Sequence, residues 1–142
     1  MLPDNKAANH SRVMIVDDDE DDIYLMKKAL GRLQESARVN LDLTFVLSGS
    51  EALGEIDRRL VDNSLPSKIF LDLNMPGING LDVLNHCMVQ NILDVVEVVV
   101  ITTASDPDTH NAALAGGART VCVKPDSLKE MSDLLSSLLA AE

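Results

Sequence analysis

Short β-branched apolar runs alternate along the chain with segments whose apolar residues recur at helical spacing. The strand-like runs are RVMIV (12–16), LDLTFV (41–46), KIFLDL (68–73), VEVVVIT (96–102) and RTVCV (119–123). Between them the spacing becomes helical: Ile23, Met26, Leu30 and Leu33; then Leu53, Ile56 and Leu60; then Leu81, Leu84 and Met88. The last segment sets Leu128, Met131, Leu134, Leu135, Leu138 and Leu139 on one face. Ser48–Glu51 and Ser127–Glu130 have capping-box spacing, Asp106-Pro107 reads as an N-cap before a proline, and Gly116-Gly117 stops that helix. Five strands alternating with five helices predict an α/β fold, a parallel sheet covered on both faces. Residues 1–11 read as a flexible N-terminal tail and 12–142 as one domain, with no internal repeat.

Composition narrows the function classes. Twelve basic against 23 acidic residues give a formal charge of −11, which repels nucleic acid and anionic membrane. The most basic segment, KKALGR (Lys27, Lys28, Arg32), holds few charges and no interleaved aromatics. Cys87 and Cys122 lie in apolar segments without CxxC spacing and read as buried, reduced thiols. MLPDNKAANHSR has no apolar core for a signal peptide, and Val95–Ile101 is too short to span a bilayer. The expectation is a soluble cytoplasmic protein.

In an open parallel sheet, ligands bind beyond the carboxyl ends of the strands. The first strand delivers Asp17, Asp18 and Asp19 there, the third Asp72, the fourth Thr102 and Thr103, the fifth Lys124-Pro125. Two carboxylates about 4 Å apart repel by roughly 4 kcal/mol at an effective dielectric near 20. Asp17, Asp18 and Asp72 in one cleft therefore hold a proton or bind a cation. Hard oxygen ligands favour Mg²⁺, with Mn²⁺ an alternative, and a facing lysine completes a clamp for a phosphoryl group. Asp19, Glu20, Asp21 and Asp22 read as a helix cap or solvated helix start. A calcium EF-hand loop from Asp17 fails, with Asp22 where glycine is needed and Lys28 where glutamate is needed.

MIVDDDEDD, FLDLNMPGINGLDVL, VVVITTASD and CVKP, in this order and rough spacing, resemble the motif set of the receiver domain of two-component response regulators. The resemblance covers about residues 12–141, and the chain looks most like stand-alone receivers without an output domain, including those paired with phytochrome-type kinases. It implies a flavodoxin-like, doubly wound (βα)5 sheet of order 2-1-3-4-5. It implies that Asp72 takes a phosphoryl group from a sensor histidine kinase or histidine phosphotransfer protein. Asp18 and Asp72 would ligate Mg²⁺ directly, the backbone carbonyl of Asn74 would be a third ligand, and Asp17 would act through a water. Lys124 would pair with the phosphate, Thr102 would hydrogen-bond a phosphoryl oxygen, and the bond before Pro125 would be cis. The chain would be no enzyme beyond its own phosphorylation and dephosphorylation. It would be a monomer or weak homodimer, bind neither nucleic acid nor membrane, and signal to a protein target or relay the group. The alternative is a receiver-like interaction module that is not phosphorylated.

Three positions depart from the family pattern. Thr103 stands where a very small residue is usual, which predicts a shielded site and a long-lived acyl phosphate. Val121 stands where an aromatic switch residue is common, and the single tyrosine, Tyr24, lies in the first helix. Asp126 replaces an aromatic after Lys-Pro and reads as a helix cap. The first-helix face around Tyr24 and Leu25 is the expected kinase-docking surface, and His10, His86 and His110 have no assigned role.

Overall fold

All four residues of β3 (Lys68–Leu71), three of them apolar, are buried, so the chain must cover two faces of one sheet. The computed structural model describes residues 10–37 and 40–140. Five parallel strands, β1 (His10–Val16), β2 (Asn40–Val46), β3, β4 (Glu97–Thr102) and β5 (Thr120–Val123), stand in the order 2-1-3-4-5. Helices α1 (Glu20–Ala37), α2 (Gly49–Asp62), α3 (Gly80–Val89), α4 (Pro107–Ala115) and α5 (Leu128–Ala140) connect and follow them.

Alternation along the strands divides the core in two. Met14, Val16, Ile69, Leu71, Val98 and Val100 pack against Ile56 of α2, Leu84 of α3 and Ala113 of α4. Val13, Ile15, Phe70, Val99 and Ile101 face Met26 and Leu30 of α1 and Met131 and Leu135 of α5. A fully buried side chain of this size contributes roughly 1.5–3 kcal/mol relative to its exposed state. At the amino edge, the buried Lys68 ammonium lies 2.8 Å from Glu97 on the neighbouring strand.

The helices follow the expected punctuation with several corrections. Ser48 caps α2, but Glu51 Oε1 accepts from the Leu47 amide, one residue before the cap, at 3.0 Å. A complete capping box outside the expected set, Asn79 with Asp82, starts α3. Asp106 caps α4 ahead of Pro107. The residue capping α5 is Ser127, whose Oγ accepts from the Glu130 amide at 3.1 Å; Asp126 is exposed just before it and is not the cap. Cys87 is buried, whereas Cys122 is half-buried because β5 is an edge strand. The core face of α3 is Val83, Leu84 and Cys87, not Leu81, Leu84 and Met88; Leu81 and Met88 are 37% and 45% exposed. Of the expected tail, residues 1–9 lie outside the described residues, while His10 and Ser11 belong to β1. No described helix is long and apolar enough to cross a membrane.

Candidate functional site

Strand register decides which side chains meet at the carboxyl edge. Val16 is level with Val46 on one side and Leu71 on the other, and Leu71 is level with Val100. The residues that follow are therefore neighbours: the Asp17 amide donates to Val46 O at 3.0 Å and the Asp72 amide to Val16 O at 2.9 Å. The sheet ladder thus continues one step into both acids and fixes their backbones. Across β4, Thr102 is level with Val123, and the Lys124 amide donates to Thr102 O at 2.7 Å. Asp17, Asp72, Thr102 and Lys124 consequently share one cleft.

Local turns aim the side chains. Asp17 Oδ1 accepts from the Asp19 amide at 2.9 Å, closing an Asx-type turn after β1. Asp19 Oδ1 accepts from the amides of Asp21 and Asp22 at 2.9 and 3.3 Å, so Asp19 caps α1 as the acid run suggested. After β3 the Met75 and Gly80 amides both donate to Leu73 O, and Gly77 takes φ +71°, which returns the chain into α3. Asn74 is exposed at the head of that turn while Met75 is buried beneath it.

Oxygens of Asp17, Asp18 and Asp72 all lie within 4.8 Å of one another, with Asp17 and Asp72 buried and Asp18 exposed. The Lys124 ammonium sits 2.7 Å from Asp22 Oδ2, 2.9 Å from Asp17 Oδ2 and 3.8 Å from Asp72 Oδ2. The Asp17 contact is an ion pair without the alignment of a hydrogen bond, whereas the Asp22 contact is a hydrogen bond. Asp72 Oδ1 is buried with no hydrogen-bond partner. Thr102 is fully buried, and its Oγ1 accepts from the Ala104 amide at 3.3 Å. Thr103 is exposed beside it.

Burial raises the Asp72 pKa to about 6; Lys124 opposes the shift, Asp17 adds to it, the Asn74 amide opposes it and Asp18 adds to it. Burial likewise raises Asp17, against the pull of Lys124 and of the Asp19 amide. For Lys124, burial works against the charge, but the hydrogen bond to Asp22 and the ion pairs with Asp17 and Asp72 outweigh it and the pKa rises. A buried polar oxygen left unbonded costs about 1–3 kcal/mol. Three clustered carboxylates with two such oxygens, Asp17 Oδ2 and Asp72 Oδ1, fit a hard divalent cation with oxygen ligands, Mg²⁺ or Mn²⁺.

The family model of the response regulator receiver domain matches residues 13–136. This chain is a response regulator receiver. Over 134 residues it is 31% identical to the transcriptional regulatory protein PrrA of Mycobacterium leprae, covering 94% of this chain and 52% of that protein. It thus spans about half the length of that relative. The chemotaxis protein CheY1 of Helicobacter pylori is 26% identical over 128 residues, covering 90% of this chain and 96% of that one. Among solved structures, the phosphorylated cyanobacterial phytochrome response regulator RcpA superposes with a TM-score of 0.79 at 25% identity, each chain covered to 91%.

The receiver brings Asp17, Asp18, Asp72, Thr102 and Lys124 together as the strand ends foretold. The Lys124–Pro125 bond, however, is trans. Trans is the lower-energy isomer of an X–Pro bond by about 0.5–1 kcal/mol, and the contacts of Lys124 are all made with it. Asp22, expected only as an acid of the helix start, makes the shortest contact to Lys124. No spacing along the chain signals this contact, because Asp22 and Lys124 are 102 residues apart and meet only through the fold. Tyr24 is 60% exposed on α1, while Leu25 is half-buried against the core.

Proposed function

We propose that Asp72 is the phosphoacceptor of this receiver and that the reaction depends on Mg²⁺. The observation that carries the reading is the buried, unbonded Asp72 Oδ1 within a carboxylate trio and beside an ammonium. An Asp72 oxygen attacks phosphorus, the bond from phosphorus to the imidazole nitrogen of the donor histidine breaks, and that nitrogen keeps the electron pair. The donor is a sensor histidine kinase or a histidine phosphotransfer protein. Asp18, Asp72 and the Asn74 carbonyl would hold the cation, with Asp17 acting through water; when bound, it neutralises charge developing on the phosphoryl oxygens. Lys124 pairs with the phosphoryl group and the Thr102 hydroxyl donates to one of its oxygens. Hydrolysis later breaks the phosphorus–carboxylate bond and restores Asp72.

The receiver unit spans residues 12–142 and works in the cytoplasm as a monomer or weak homodimer. It signals through altered protein contacts or by passing the phosphoryl group onward. The likeness to a phosphorylated phytochrome response regulator supports phosphorylation of this receiver, and the charge of −11 speaks against nucleic acid as a partner of this domain. Incubation with Mg²⁺ and acetyl phosphate tests the reading. It requires one acid-stable, alkali-labile phosphate, lost with chelator and in Asp72→Asn. A wild-type protein that takes up no phosphate is an interaction module instead.

A further inference from the structure

Lys124 is held by an acid that lies outside the carboxylate trio. Asp22 sits in the first turn of α1, and its Oδ2 takes a hydrogen bond of 2.7 Å from the Lys124 ammonium. Asp72, the residue Lys124 is meant to serve, is 3.8 Å away. Both partners are sheltered, with side-chain exposures of 5% for Lys124 and 23% for Asp22. The Asp22 backbone is fixed as well, because its amide is tied to the Asp19 cap at 3.3 Å.

We propose that Asp22 is a positioning residue for Lys124, holding the ammonium on the α1 side of the cleft until a phosphoryl group on Asp72 draws it away. This rests on Asp72 being the phosphoacceptor. Asp17 and Asp72 belong to the oxygen cluster suited to a cation, and Asp22 does not. Charge neutralised on the cluster by a bound cation weakens its hold on Lys124 and leaves the hold of Asp22 intact. Asp22 and the phosphoryl group then compete for one ammonium. The competition makes the phosphorylated arrangement harder to reach and easier to leave, so Asp22 sets how tightly the receiver holds its activated state.

Beryllofluoride with Mg²⁺, titrated by calorimetry, reads that state without turnover. Asp22→Asn keeps the shape of the side chain and removes the competitor, so the mimic binds about fivefold more tightly. Asp22→Glu restores the carboxylate and returns the affinity toward wild type. In a Lys124→Met background, Asp22→Asn changes affinity less than about twofold, since the competition no longer exists. Equal tightening in both backgrounds would reduce Asp22 to a general source of negative potential and overturn the proposal. So would a wild-type affinity in Asp22→Asn with Lys124 intact.

A second measurement serves if Lys124→Met does not fold. The Lys124 ammonium resonance in ¹⁵N NMR should move on Asp22→Asn in the free protein, and in wild type on addition of beryllofluoride. An unmoved resonance in Asp22→Asn overturns the proposal. Wild type that fails to bind beryllofluoride removes the phosphoacceptor reading and this inference together. Wild type that binds, with Asp22→Asn unchanged, removes the inference alone.

Discussion

The carbonyl oxygen of Asp72 occupies the space that a side chain on Gly80 would need. A Cβ at that position would fall on this oxygen and lie 2.7 Å from the Cα of Leu73. Gly80 opens α3, and its amide also donates to Leu73 O at 3.0 Å, so the helix start is pressed against the strand end that carries Asp72. Gly80→Ala must displace backbone, which no flexible side chain can absorb. The expected cost is about 1–3 kcal/mol of stability by denaturant titration. Displacement of the nucleophile should slow phosphate incorporation on the order of tenfold or more. Gly31→Ala, with open space around it inside α1, is the control and should stabilise by up to about 1 kcal/mol. Unaltered phosphorylation in Gly80→Ala would show that this contact does not place Asp72.

Asp72 should make the metal-free protein less stable as pH rises. Its carboxyl shifts from the ordinary 3.8 to about 6, chiefly by burial, so the folded protein holds this proton more tightly than the unfolded chain. The associated stability is complete below about pH 4 and lost as pH rises through about 6, a loss of order 3 kcal/mol. Asp72→Asn removes the ionisation. In chelator it should be more stable than wild type at pH 8 by about 2–3 kcal/mol and nearly equal at pH 4. Saturating Mg²⁺ should narrow the gap by stabilising wild type through binding. A constant difference across this pH range would mean that Asp72 is not the group strained by burial.

Much of this site could be read before any coordinates, and the reason is topological. A parallel sheet delivers every strand end to one edge, so Asp17, Asp72, Thr102 and Lys124 are placed together by strand order and register alone. Alternation in β1, β3 and β4 likewise splits their residues between two packed layers. What stayed hidden depends on contacts between distant parts of the chain. In α3, residues 81, 83, 84, 87, 88 and 89 are all apolar, so spacing cannot choose a face. The close approach of Gly80 to Asp72 helps set the helix rotation, which buries Val83 and Cys87 and leaves Met88 half out. The pairing of Asp22 with Lys124 spans 102 residues, beyond the reach of any local pattern. Asp126 and Ser127 are both good caps by type, and only the observed bond to the Glu130 amide separates them.

Thr103 should govern how long the acyl phosphate lasts. It follows the buried Thr102 at the end of β4 and is exposed. A smaller residue at this position would leave more room for attacking water. Thr103→Ala should therefore speed dephosphorylation, by about fivefold if about 1 kcal/mol of shielding is removed. The decay of labelled protein after removal of phosphodonor measures this directly. An unchanged half-life would place the controlling barrier elsewhere in the cleft.

The response to phosphorylation should run from Thr102 into α4 through Ala104. Thr102 Oγ1 accepts from the Ala104 amide at 3.3 Å, and Ala104 O accepts from His110 Nε2, in the first turns of α4, at 2.7 Å. Val121, half-buried against one core layer, is no aromatic rotor, so β5 cannot supply the larger side-chain motion common in the family. A Thr102 hydroxyl drawn to a phosphoryl oxygen must rotate and weaken its bond with Ala104. The His110 contact then transmits the change to the helix, since both bonds are made by Ala104, one through its amide and one through its carbonyl. Amide hydrogen exchange with saturating beryllofluoride should therefore change across residues 103–117 in wild type. In His110→Ala the change should shrink to the loop, residues 103–106, while the affinity for the mimic stays near wild type. Exchange that is the same with and without the mimic throughout 103–117 would sink this route and leave the signal to another face of the receiver.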